Sequence, residues 1–114
     1  MLYFDRVSKE YDNGNKVLED ISLTIQPGEL VSIVGHSGAG KTTLIKLLLA
    51  EEHPTEGKVS FHSEDIHKLR GNGMTNYRRK VGVVFQDFRL IPNKTAYENV
   101  AFAQEVIGRP RDVI

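Results

Sequence analysis

The chain contains no cysteine among its 114 residues, which excludes a disulfide framework, a thiolate metal site and a catalytic thiol. A reducing compartment suits such a chain, and the cytosol is the expected location. It also lacks an excess of either charge: 15 lysines and arginines balance 15 aspartates and glutamates. No overall field draws it toward nucleic acid or an anionic membrane, so any such contact has to be local and no nucleic-acid partner is expected. Long apolar runs are missing as well. Nowhere do the ~18 consecutive apolar residues of a membrane span occur. Near the amino terminus, Asp5, Arg6, Lys9 and Glu10 stand where a signal peptide needs an uninterrupted apolar stretch. Work at a membrane would therefore be peripheral. There is no internal repeat, low-complexity tract or linker, and the length suits one small domain.

In the segment Val17 to Ile25, the apolar Ile21, Leu23 and Ile25 alternate with Ser22 and Thr24, the period of a half-buried strand. Pro27 and Gly28 predict a turn. Leu30 to Val34 is a short apolar run broken only by Ser32 and is expected to be a strand buried on both faces. The run TTLIKLLLAEE after Lys41 has good helix formers and apolar residues nearly all round, predicting a largely buried helix that Pro54 and Gly57 end. Lys58 to His62 reads as a short strand, Ser63 to Met74 as a helical turn mixed with loop, and Tyr77 to Lys80 as the end of a short helix. Val81 to Phe85 is β-branched and apolar, a second expected buried strand. Thr95 can cap a helix carrying Val100, Phe102, Ala103, Val106 and Ile107, stopped by Gly108 and Pro110.

The segment Gly35-His36-Ser37-Gly38-Ala39-Gly40-Lys41-Thr42 satisfies GxxxxGK[ST] and lies between an expected strand and an expected helix. Its glycines let successive amide N–H groups converge on phosphate oxygens, and the helix aims its positive end at the same anion. Lys41 can reach the β- and γ-phosphates, Thr42 is placed to ligate Mg²⁺, and Thr43 adds a phosphate hydrogen bond. A guanine-reading NKxD is absent, since Asn93-Lys94-Thr95 is followed by Ala96. The strand VGVVF ends in Gln86, with Asp87 one residue late for a Mg²⁺-binding aspartate. His53, His62 and His67 form no i,i+4 pair, and no metal site is expected of them. Arg78, Arg79 and Lys80 read as a solvated helix end.

An aromatic at Tyr11, a P-loop further on, and a strand ending in VFQ together resemble the first half of an ABC-type ATPase. The expected fold is accordingly α/β: an incomplete P-loop NTPase with an amino-terminal antiparallel β portion beside the P-loop strand and helix. Residues 1–114 would form the amino-terminal part of a single ATP-binding domain. The resemblance implies that Tyr11 stacks on adenine, that residues 35 to 43 hold the phosphates of Mg-ATP, and that Gln86 contacts Mg²⁺ and the attacking water. Within that family GHSGAGKTTLIKLL, EEHPTEGKV, RRKVGVVFQDFRLIPNKT and YENVAFAQEVIG are similar to the FtsE group of bacterial cell-division ATP-binding proteins. Exporter ATPases of the lipoprotein or macrolide type are the alternative, but they usually have proline where His36 stands and asparagine in place of Arg89.

What the resemblance implies about partners is an FtsX-like membrane protein docking on residues 87–97, with Phe88, Arg89 and Leu90 in contact. It further implies an ATP-driven homodimer, peripheral on the cytoplasmic face of the cell membrane. The family's LSGGQ signature, Walker B aspartate, catalytic glutamate and switch histidine have no counterpart in these 114 residues. By resemblance, two further strands belong between the P-loop strand and the one carrying Gln86. The expectation is an amino-terminal fragment that folds marginally and binds nucleotide without hydrolysing it.

Overall fold

The computed structural model describes residues 1–35, 40–85, 89–110 and 112. They fall into two compact units, residues 1–78 and 79–114. The first unit is built on a four-stranded antiparallel sheet of order β2-β1-β3-β4, with β1 at Leu2–Glu10, β2 at Lys16–Ile25, β3 at Glu56–Phe61 and β4 at Glu64–Asp65. Helix α1 spans Lys41–Leu48 and α2 spans Asn72–Arg79, with a 3-10 turn at Ile66–Lys68 between β4 and α2.

The alternation read in β2 is realised: Ile21, Leu23 and Ile25 are half-buried while Ser22 and Thr24 are exposed. β1 departs from a plain two-residue period, because Phe4 and Val7 are both buried although they are three apart. An irregularity in the pairing with β2 lies between them, and Arg6 takes a left-handed φ of 48° there. A bulge of this kind returns the next apolar side chain to the same face. The unpaired amides find hydroxyls instead of ladder carbonyls: Arg6 N–H donates to Ser22 Oγ at 3.1 Å, and Asp20 N–H donates to Ser8 Oγ at 3.0 Å. β3 packs its backbone against this bulge at Gly57, where a Cβ would stand 2.3 Å from the Arg6 carbonyl oxygen. Only glycine fits.

The core of this unit gathers Phe4, Val7, Leu18, Leu47, Val59, Ile66 and Tyr77, of which Leu47, Ile66, Val7 and Val59 are fully buried. Helix α1 buries Thr43 and Leu47 but leaves Ile45 39% exposed, so it is not buried all round as expected. It also stops well before Pro54. Ala50 adopts a left-handed φ of 60°, its N–H donates to the Leu47 carbonyl, and Glu51 N–H donates to the Lys46 carbonyl. This pair of bonds is a Schellman stop with alanine in the usual glycine place. Helix α2 completes the end: Tyr77 donates its hydroxyl to the Leu48 carbonyl, and Arg78 donates to the carbonyls of Leu49 and Ala50. Arg78 is thus a cap for α1 rather than a merely solvated helix end.

Two expected strands did not form. Leu30–Val34 has no regular structure, with Leu30 95% and Val34 89% exposed, and Val81–Phe85 is likewise irregular, with Val84 90% exposed. A strand is held by the hydrogen bonds of a neighbour, and among the described residues neither segment is paired. The turn before the first does form as read: Glu29 N–H donates to the Gln26 carbonyl at 3.1 Å, with Gly28 at φ 77°, the geometry of a type II turn.

The second unit holds α3, Ala96–Val106, opened by a reciprocal capping box between Thr95 and Glu98. This is the cap read from Thr95. Of α3's side chains only Ala101 is buried, while Val100, Phe102 and Val106 are exposed. Asn99 ties the preceding loop to the helix: its side-chain oxygen accepts from Ile91 N–H at 2.8 Å and its amide donates to the Thr95 carbonyl at 2.9 Å. No helix among the described residues is long and apolar enough to cross a membrane.

Candidate functional site

The predicted phosphate loop leads into the amino terminus of α1. Gly40 is the N-cap, at φ 93°, and contributes no side-chain hydrogen bond to the first turn. The left-handed backbone suits glycine, and close packing enforces it: a Cβ on Gly40 would stand 2.7 Å from the Val17 carbonyl and 2.8 Å from a methyl of Leu18. β2 therefore braces the point where the loop becomes helix. Among the described residues no side chain caps the first-turn amides, which lie at the positive end of the helix dipole.

Lys41 opens the helix, and its ammonium donates to the Gly35 carbonyl at 2.6 Å. This bond closes the loop from its first glycine to its lysine. Thr42 is exposed, whereas Thr43 is 7% exposed. The Thr43 hydroxyl lies 3.3 Å from the Tyr11 hydroxyl, and because each has a lone pair and a proton, one can donate while the other keeps a proton for a further acceptor. Tyr11 begins the turn after β1, where its N–H donates to the Asn15 carbonyl at 3.0 Å and its carbonyl accepts from Gly14 N–H at 2.8 Å. The sequence-predicted aromatic and the first turn of α1 are thus brought together across 32 positions of chain.

The remaining predicted residues divide. His36, Ser37, Gly38, Ala39 and Gln86 lie outside the described residues, as do Asp87 and Phe88. Arg89 has its guanidinium 3.8 Å from the centre of the Phe85 ring, and Leu90 is 69% exposed.

Sequence reasoning missed Lys9. Its ammonium lies 5.2 Å from the centre of the Tyr11 ring, donates to the His53 carbonyl at 2.8 Å and pairs with Glu52 at 3.3 Å. The one available signal was its place two residues before Tyr11, on the same side of the strand end. His67 sits behind this cluster. Its Nε2 is 3.0 Å from the Glu52 carbonyl, which can only accept, so the proton is on Nε2. Among the described residues Nδ1 is buried without a hydrogen-bond partner, and the His53 ring is 5.2 Å away. Burial, and then the neighbouring His53, hold the His67 pKa below the ordinary 6.5. Apart from the loop, a charged cleft of about 670 Å³ opens over the bulge, lined by residues such as Asp5, Arg6 and Lys58 and by none of the predicted site residues.

Comparisons with known proteins follow this geometry. Residues 18–112 match the family model described as ABC transporter. The chain is 50% identical over 114 residues to the cell division ATP-binding protein FtsE of Bacillus subtilis, covering all of this chain and 50% of that protein. It is 40% identical over 114 residues to FtsE of Escherichia coli, covering 51% of it. Among solved structures it is similar to the ATP-binding cassette MJ0796 in a dimeric post-hydrolysis state bound to ADP and Pi. That likeness has a TM-score of 0.82 and 38% identity, over 97% of this chain and 49% of the other. The chain spans about half the length of the curated relatives it matches.

Proposed function

The chain belongs to the ABC transporter family, and from that premise we propose that it binds Mg-ATP as part of the ATP-binding subunit of an FtsE-like system in bacterial cell division. The observation that carries the reading is the Tyr11–Thr43 contact. A base-sized aromatic and the opening of the P-loop helix are thereby neighbours, so that one nucleotide can reach the first with its base and the second with its phosphates.

Each residue has a physical task in this reading. Tyr11 offers its ring to adenine. The backbone amides of residues 35–43 and the amino terminus of α1 receive the phosphates. Lys41 turns from the Gly35 carbonyl to the β- and γ-phosphates, and Thr43 shares its hydroxyl with them. Thr42 and Gln86 would hold the Mg²⁺ that accompanies the nucleotide. The ion would supply positive charge to offset that of the phosphates, and the exposed Thr42, with its hydroxyl oxygen, suits a hard cation that prefers oxygen.

We propose further that residues 1–114 are the amino-terminal part of one ATP-binding domain. The exposed apolar runs Leu30–Val34 and Val81–Phe85 are then the strands that pair with the rest of that domain. We also propose a homodimer, which the dimeric cassette supports, working with an FtsX-like membrane protein at the cytoplasmic face through residues 87–97. Asn99 holds the end of that segment to α3, and Leu90 and Tyr97, each 69% exposed, are the apolar surface it offers.

Calorimetric titration with Mg-ATP tests the core of the proposal. Lys41→Ala removes a charged hydrogen-bond donor worth about 1.5–3 kcal/mol, so affinity should fall roughly tenfold to a hundredfold. Unchanged affinity in this variant would overturn the phosphate assignment.

A further inference from the structure

Lysine side chains at a surface normally spread over many rotamers, and fixing one is entropically costly. Lys9 is fixed all the same. Its side chain is 14% exposed, its ammonium pairs with Glu52 at 3.3 Å and donates to the His53 carbonyl at 2.8 Å. Both partners lie just past the Schellman stop that ends α1. The held ammonium lies within reach of the π-face of Tyr11, 5.2 Å from the ring centre, where the ring quadrupole attracts a cation. At its other extremity the same ring is tied through its hydroxyl to Thr43, in the first turn of α1.

We infer that Lys9 is a positioning residue for the nucleotide base. Tied at its edge to the start of α1 and at its face to the segment that follows that helix, the Tyr11 ring is held in one plane relative to the phosphate loop. The ammonium covers one face, so an incoming purine stacks on the opposite face. The base platform and the phosphate cradle then move as one piece with α1, and the nucleotide meets a site already set to its length. This inference rests on Tyr11 being the base platform.

The test compares two probes on the full chain: Mg-ATP, which has a base, and Mg-tripolyphosphate, which has none. Lys9→Met keeps the stem and removes the charge. It should weaken Mg-ATP about threefold to tenfold, the range of a partly desolvated cation–π contact, and leave tripolyphosphate unchanged. Lys9→Arg, which keeps a cation, should retain most of the affinity, and in a Tyr11→Ala background Lys9→Met should have no further effect on Mg-ATP. Equal losses for both probes would overturn the inference, because Lys9 would then act through the fold as a whole. Full Mg-ATP affinity in Lys9→Met would overturn it too. If Tyr11→Ala itself leaves Mg-ATP affinity intact, the base-platform reading fails and this inference with it, whereas failure of the phosphate reading appears separately in Lys41→Ala.

Discussion

Ile21, Leu23 and Ile25 in β2 and Leu30, Ile33 and Val34 a few residues later are side chains of the same kind, yet the first group is half-buried and the second is exposed. The difference lies in where the partner comes from. β2 pairs antiparallel with β1, its neighbour in sequence, so a short connection brings the ladder together at little entropic cost. A continuous apolar run without polar alternation is the mark of a strand buried on both faces, and that requires neighbours from distant parts of a chain. Apolarity makes a strand possible, and a neighbour makes it real. Val81–Phe85 in the second unit repeats the lesson, with β-branched residues and no ladder among the described residues.

This contrast can be broken by experiment. The largest effect should come from Leu47→Ala, which empties a fully buried site and should cost about 2–5 kcal/mol in denaturant unfolding. If the first unit unfolds no more easily in this variant, the packed core does not hold it.

A smaller effect, confined to a pH window, belongs to His67. Its folded pKa lies below the ordinary 6.5 through burial and the nearby His53, so the unfolded chain takes up the proton more readily than the folded one. The stability His67 contributes is therefore present above pH 6.5 and is lost as pH falls from there through its folded pKa. Unfolding midpoints at pH 7.5 and 5.5 should differ more in the parent chain than in His67→Gln, in which the titrating ring is gone. An equal difference in both would remove His67 from the account.

Least of all should come from Val84→Ala. At 90% exposure it has little burial to lose, and the change should lie within about 0.5 kcal/mol. A cost close to that of Leu47→Ala would show Val84 packed in solution and erase the contrast between paired and unpaired segments.

Legibility followed the same division. Features set by local chemistry were readable: the alternation of β2, the Pro27–Gly28 turn, the Thr95 cap and the helix that begins at Lys41. The end of α1 was hidden because Ala50, not glycine, takes the left-handed conformation, so no breaker residue marked it. The double burial of Phe4 and Val7 was hidden by the bulge at Arg6, which alters the two-residue period. At the site, the loop and Tyr11 carried recognisable types at recognisable places, whereas Lys9 matters only because Glu52 and His53, more than forty positions away, hold its ammonium. Arg78 belongs with Lys9, since its role as a cap depends on where α1 happens to stop.

The bond between Lys41 and the Gly35 carbonyl gives the loop an internal competitor. At 2.6 Å one of the three protons of the ammonium is committed to that carbonyl, so an arriving anion competes with the carbonyl for that proton. A neutral solute or a weakly charged one gains almost nothing from the exchange, while a triphosphate with several negative oxygens gains most. The exchange thereby favours ligands dense in negative charge over weakly charged ones.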